Sequence, residues 1–137
     1  IVNLEDLKDL QVIIDCDVIQ ADGGTRTASI SGSFIALQLC INTMLNKKII
    51  KKNPINEYVA AISCGIVNGE PLLDLDFEED QNADVDANFV ITESGKLVEV
   101  QMTSEKKLCD EKSFNEMLRL AKSGISEIIQ KQQAILK

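Results

Sequence analysis

Asp22-Gly23-Gly24-Thr25-Arg26-Thr27-Ala28-Ser29 stands between two different periodicities, and its reading decides the fold. Before it, Leu10, Val12, Ile14, Cys16 and Val18 alternate with Gln11, Asp15 and Asp17, broken only by Ile13. That period of two predicts a strand over 10–18 with both faces partly covered. After it, Ile30, Phe34, Leu37, Ile41 and Leu45 recur at three and four, which predicts an amphipathic helix from Thr27 to about Leu45. The unit is therefore strand, glycine loop, helix. Two glycines let main-chain N–H groups turn toward a ligand, and the first helical turn leaves N–H donors unsatisfied at a positive dipole end. Thr25 adds a hydroxyl, and Arg26 can present a planar fork to two oxygens of an oxyanion. Arg119 is the only other arginine in the chain. The competing reading is a plain turn in which the glycines satisfy geometry and Thr25 or Thr27 caps the helix. The loop is neither a Walker A sequence nor a GxGxxG fingerprint.

Further along, Lys47, Lys48, Lys51 and Lys52 mark a solvated connection ending at Asn53-Pro54. Tyr58–Val67 reads as a buried strand, and Asn68-Gly69 as a hairpin turn returning through Leu72, Leu73 and Leu75. Residues 74–86 read as an acidic loop. Val85–Thr92 and Lys96–Thr103 form a second hairpin around Ser94-Gly95. Asp110 is placed to cap the last helical region, with Cys109 and Phe114 as a hydrophobic staple and Gly124 as a break between two helices. This order, β-α-β-β-β-β-α-α with hairpins, predicts an α+β domain rather than a doubly wound sheet.

Composition narrows the chemistry. The 137 residues make one domain or part of one, and no apolar run approaches the about 18 residues of a membrane span. The acidic N-terminus lacks the basic start of a signal peptide. The four cysteines lie far apart with no CxxC pair, as expected for reduced core or boundary residues of a cytoplasmic protein. There is no histidine, which excludes a Ser–His triad and a histidine-liganded zinc from this chain. The net charge is −8, unfavourable for a non-specific nucleic-acid binder. That charge is concentrated: Asp74, Asp76, Glu78, Glu79, Asp80, Asp84 and Asp86 share one window without a lysine or arginine. Such a run is either a solvated acidic turn or a cation site. Asp84 and Asp86 alternate on entering a strand and share a face, and a short turn can bring Asp80 to Asp86. Oxygen ligands of this kind suit Mg²⁺, and their spacing is not that of an EF-hand.

Three blocks then carry a resemblance. They are Ile14 through Ile30 (Ile-Asp-Cys-Asp-Val-Ile-Gln-Ala-Asp-Gly-Gly-Thr-Arg-Thr-Ala-Ser-Ile), Gly65 through Asp80 (Gly-Ile-Val-Asn-Gly-Glu-Pro-Leu-Leu-Asp-Leu-Asp-Phe-Glu-Glu-Asp), and the pair Ala83-Asp84-Val85-Asp86 with Val98-Glu99-Val100-Gln101. Together they resemble the ribonuclease PH family of phosphate-dependent 3′-to-5′ exoribonucleases. The resemblance runs in order along the whole chain and corresponds to the second, C-terminal half of the family's domain. Residues 1–137 are accordingly expected to be a partial domain whose N-terminal half is missing. Met102, where the family commonly has glycine, and the charged Glu105-Lys106-Lys107 are departures, expected to lie away from the glycine and acidic loops.

The resemblance implies an α+β fold of the ribosomal protein S5 domain 2-like type, a mixed sheet packed against helices. It matches Gly24, Thr25 and Arg26 to phosphate-binding positions and Asp80 and Asp86 to an acidic pair beside the scissile linkage. Asp84 is a weaker third candidate for Mg²⁺. The implied reaction is phosphorolysis, with inorganic phosphate as co-substrate, tRNA and other RNA 3′ ends (including rRNA) as substrates, and nucleoside diphosphates as products. The implied setting is a hexameric ring in the cytoplasm, with no membrane. A half-domain alone is expected to be inactive and to bind RNA poorly. The alternative is a non-catalytic scaffold or RNA-guiding subunit of an exosome-like ring.

Overall fold

The computed structural model describes all residues, Ile1–Lys137. After a single 3-10 turn at Leu4–Leu7 come α1 (Thr25–Asn46), β1 (Val59–Val67), β2 (Glu70–Leu73), α2 (Phe77–Asn82), β3 (Val85–Thr92), β4 (Leu97–Ser104) and α3 (Glu111–Ile135). The strands form one sheet in the order β2-β1-β3-β4, and every pairing is antiparallel. Both hairpins turn where the sequence places them. Asn68 and Gly69 take φ of 52° and 83°, the left-handed values a two-residue hairpin requires, and Gly95 turns the second at 83°.

The sheet is covered on both faces. On one, Ala60, Ile62, Cys64 and Ile66 of β1 and Val85, Ala87, Phe89 and Ile91 of β3 pack under Met117, Ala121, Ile125 and Ile129 of α3. On the other, Val59, Ala61 and Val90 meet Phe34 of α1. Hence β1 is buried along almost its whole length and reads as a continuous apolar run rather than an alternation. Buried Gln132 joins the layers, its Nε2 donating to the carbonyls of Ser31 and Val59 at 3.0 and 3.1 Å. Contrary to the expectation that no stretch approaches a membrane span, helix α1 has the length and composition of one, yet its Phe34 and Ile41 sit in the protein core.

Four expectations are corrected. No strand forms over 10–18; the stretch runs along α1, and Ile13, Val18 and Ile19 are exposed. Its alternation is a strand pattern, but none of its residues joins the four-stranded sheet. The acidic segment contains a helix, α2, because Asp76 and Glu79 form a reciprocal capping box: Asp76 accepts from the Glu79 N–H at 2.8 Å, and Glu79 from the Asp76 N–H at 3.0 Å. Gly124 does not break α3, which is continuous. A Cβ there would lie 2.6 Å from Ile62 Cδ1 and 3.0 Å from Leu73 Cδ2, so its glycine serves close approach to the sheet. Of the cysteines, only Cys64 is buried and Cys109 half-buried, while Cys16 and Cys40 are exposed; all four are free thiols. The predicted cap of α3 is present, Asp110 accepting from the Ser113 N–H at 2.7 Å.

The β3–β4 turn carries its own pH dependence. Glu57 accepts from Lys96 Nζ at 2.8 Å and from the Ser94 hydroxyl and N–H. Lys96 first, then Ser94 and Thr92, hold its carboxyl down at about 2. A carboxyl lowered in the folded state stabilises fully above its ordinary range and loses that contribution as pH falls toward 2. The melting temperature of Glu57→Gln is therefore expected to fall less steeply than wild type between pH 4.5 and about 2, by calorimetry; parallel curves would refute the assignment.

Candidate active site

The glycine loop and the acidic segment meet at one end of the sheet. Gly24 takes a left-handed φ of 69° and is the N-cap residue of α1, with no side chain capping the helix. The first-turn amides are thus left for a ligand or solvent. The reading in which Thr25 or Thr27 caps the helix does not hold: Thr27 Oγ1 donates to the Gly24 carbonyl at 2.8 Å instead of accepting an amide. A Cβ on Gly24 would lie 3.3 Å from Ser63 Oγ and 3.9 Å from Asp74 Oδ1, so the loop abuts β1 and the start of the acidic segment.

Gly23 is tighter still. A Cβ there would overlap the Leu75 carbonyl oxygen and lie 2.8 Å from the carbonyl carbon and oxygen of Asp76. These are backbone atoms, so the collision cannot be relieved by a rotamer change. Gly23→Ala is expected to lower stability by about 1–3 kcal/mol, as overpacking does, measured by denaturant unfolding. An unchanged midpoint would contradict this close approach.

The sheet supplies the floor. By strand alternation, Asp86 and Asn88 of β3 share the α1 side with Val90, and Ser63 and Gly65 of β1 share it with Ala61. In register across β3, Asp86 opposes Gly65 on β1 and Thr103 on β4, Asn88 opposes Ser63 and Gln101, and Val90 opposes Ala61 and Glu99. Glu99 is where Arg26 is found, with its Nη2 2.8 and 3.0 Å from the two carboxylate oxygens. The pair is about half exposed. Such exposed pairs contribute about 0.2–1 kcal/mol, so an oxyanion can displace Glu99 at little cost. The other arginine is bound within α3 to Glu116, 2.6 Å away, and has no part here.

Asp86 is the perturbed acid of the site. Burial pushes its carboxyl up, and the charges of Asp80 and Glu105 push it further, against one bond from the Ala87 N–H. Asp80 sits on α2, its N–H bonded to the Asp76 carbonyl at 2.9 Å. Neither Asp80 nor Asp86 forms an ion pair. Asp84 differs. It is buried, paired with Lys107 Nζ at 2.9 Å, and its carbonyl faces the N–H groups of Glu105, Lys106 and Lys107. No three Asp, Glu or Cys side chains are gathered as a ready cation cage. Asp84 thus differs from Asp80 and Asp86 in that its charge is already matched and its position anchors the chain after β4.

That anchor corrects the expectation that Glu105, Lys106 and Lys107 lie away from the acidic loop. Glu105-Lys106-Lys107 lies against the acidic segment: Lys107 pairs with Asp84, Lys106 Nζ donates to the Gln81 carbonyl at 3.1 Å, and Glu105 charges Asp86. Glu99 and Glu105 were not singled out as site residues from the sequence. Only strand register brings them in, since each lies more than eighteen positions from its partner's segment. Cys64 is no nucleophile, since burial, then Asp74 and Asp86, push its thiol up to about 12.

Comparison with known proteins decides the family. Residues 57–124 match the model of the 3′ exoribonuclease family, domain 2. The ribonuclease PH of Methylocella silvestris is 52% identical over 134 residues, covering 98% of this chain and 56% of that protein. The chain belongs to the ribonuclease PH family of 3′ exoribonucleases. A second member, the ribonuclease PH of Methylobacterium sp. strain 4-46, is 53% identical over 94% of this chain and 54% of its own length. The chain thus spans about half the length of the curated relatives it matches. Among solved structures, rice (Oryza sativa) Rrp46 superposes with a TM-score of 0.67 over 86% of this chain and 50% of its own. An archaeal exosome core superposes with 0.64 over 84% of this chain and 47% of that one. Both are 21% identical, and they establish the family's α+β fold for this chain.

Proposed function

We propose that this domain carries the nucleophile loop and acidic pair of a phosphate-dependent 3′-to-5′ exoribonuclease that trims tRNA and other RNA 3′ ends. The observation that carries the reading is the direct contact between the two loops: Gly23 is seated on the Leu75–Asp76 backbone at the entry to α2, one turn before Asp80.

In this reading Gly24, Thr25 and Arg26 bind inorganic phosphate, the loop amides and Thr25 hydroxyl donating while Arg26 leaves Glu99 for the anion. A phosphate oxygen attacks the terminal phosphodiester phosphorus, the bond from phosphorus to the 3′ oxygen of the preceding nucleotide breaks, and a nucleoside diphosphate leaves. Asp86, whose carboxyl is pushed up by burial and by the charges of Asp80 and Glu105, is the acid that would give a proton to the departing 3′ oxygen. Asp80 and Asp86 would hold Mg²⁺, whose charge offsets that of the phosphodiester. The fit rests on the chemistry of this donor set: two hard oxygen donors, close enough to repel and neither of them in an ion pair. Two carboxylates, waters and substrate oxygens are the usual Mg²⁺ environment. Little covalent work is left to the protein; the catalysis is positioning and charge stabilisation.

At a net charge of −8 this chain attracts RNA weakly. The basic guide for RNA is assigned to parts of the family's domain outside these 137 residues and to neighbouring subunits of a hexameric ring in the cytoplasm. The test is incubation of the full-length protein with a 3′-extended tRNA and Mg²⁺, with and without phosphate. Nucleoside diphosphates that appear only with phosphate are expected. Monophosphates without phosphate would mean hydrolysis, and no product would favour a scaffold subunit.

A further inference from the structure

The acidic helix has almost nothing in the core to hold it. Helix α2 is six residues long and buries none of them. Its capping box is internal and fixes its start without fixing its direction. Buried Leu75 and Ala83 anchor its flanks and Lys106 Nζ bonds the Gln81 carbonyl, but the side-chain bond that joins it to the phosphate loop is made by Asp22. That carboxylate makes no ion pair, and its Oδ1 accepts two backbone N–H groups, from Gly23 at 2.9 Å and from Phe77 at 2.7 Å. Phe77 is the first residue of α2, 55 positions away in sequence.

We propose that Asp22 is a positioning residue that locks the phosphate loop to the acidic helix, holding nucleophile and carboxylates in one frame. The proposal rests on the phosphorolytic reading above. One oxygen spans both loops: it orients the amide that precedes Gly24, and it grips the helix one turn before Asp80. Without it, Gly23 still lies close against Leu75 and Asp76, but that packing carries no directional bond. The two halves of the site could then drift apart while each kept its own geometry. In-line displacement is sensitive to this, since a misplacement of about 1 Å can cost about 10²-fold in rate.

Three variants of the full-length protein separate the possibilities, assayed on a 3′-extended tRNA with phosphate and Mg²⁺ varied in turn. Asp22→Ala removes both bonds. Phe77→Pro removes only the one between the loops: proline is well accepted at the first position of a helix, Asp76 before it is already extended, and Phe77 is exposed. Asp22→Asn keeps an acceptor oxygen. Both Asp22→Ala and Phe77→Pro are expected to lower kcat by about 10–100-fold, the usual cost of losing a residue that orients a ligand set, with the KM for RNA within about twofold. Asp22→Asn should remain within about threefold of wild type. If Phe77→Pro, with its melting temperature preserved, turns over like wild type, the lock is refuted. So it is if Asp22→Asn is as impaired as Asp22→Ala. A wild-type protein that releases no nucleoside diphosphate would instead remove the phosphorolytic reading itself.

Discussion

Arg26→Lys is expected to cut phosphate-dependent kcat/KM by about 10²–10³, the range seen when one preorganised oxyanion donor is lost. Lysine keeps the charge, so the loss would come from geometry. A guanidinium presents parallel donors that can hold two oxygens of phosphate at once, whereas an ammonium is a rotating point charge. The neighbourhood sharpens the difference. Arg26 holds both oxygens of Glu99 through a single Nη2, leaving the rest of its fork free to meet an incoming anion. Initial rates of nucleoside diphosphate release against phosphate concentration measure it, and an unchanged phosphate dependence would sink the role given to Arg26. Because the side chain is about half exposed and its ion pair contributes little, the variant should unfold within about 0.5 kcal/mol of wild type.

Asp86→Asn should have the other large effect, in two opposite directions. Turnover is expected to fall by about 10²–10⁴, the range for a lost general acid, because an amide cannot give a proton to the departing oxygen. The metal-free protein should become more stable. Asp86 is half-buried between the charges of Asp80 and Glu105, so its ionised form opposes folding at neutral pH, and asparagine removes that repulsion without changing the volume. Mg²⁺ should raise the melting temperature of wild type by relieving the same repulsion, and raise that of the variant much less. Calorimetry with and without Mg²⁺ reads both. A variant less stable than metal-free wild type would mean that Asp86 is held by attractive contacts and is no site for a cation.

The legibility of this chain divides along a physical line. Features set by neighbours in sequence could be read: the two hairpin turns, because Asn68-Gly69 and Gly95 meet a backbone demand that few residues can; the long helices, because their apolar periodicity is local; and the Asp110 cap. The capping box of Asp76 and Glu79 was equally local, and the crowd of carboxylates concealed it, since seven like charges suggest a loop before they suggest a helix start. The strand expected at 10–18 shows the reverse. Its alternation states a capacity to pair, and pairing is decided by which edge the rest of the fold offers.

The candidate site divides in the same way. Composition and spacing alone limited the candidate groups to oxygen donors and a guanidinium, because there is no histidine to offer and the glycine loop places Arg26 at a helix start; their roles came only from what the resemblance implies. Tertiary structure decided which carboxylates remain free. Asp84 and Asp86 are two positions apart, and nothing local distinguishes them. Pairing of β3 with β4 brings Lys107 to the first and Glu105 to the second, so one charge is matched and the other opposed. The link from Asp22 to Phe77 belongs to the same class, since a hydrogen bond across 55 residues exists only once the chain has folded.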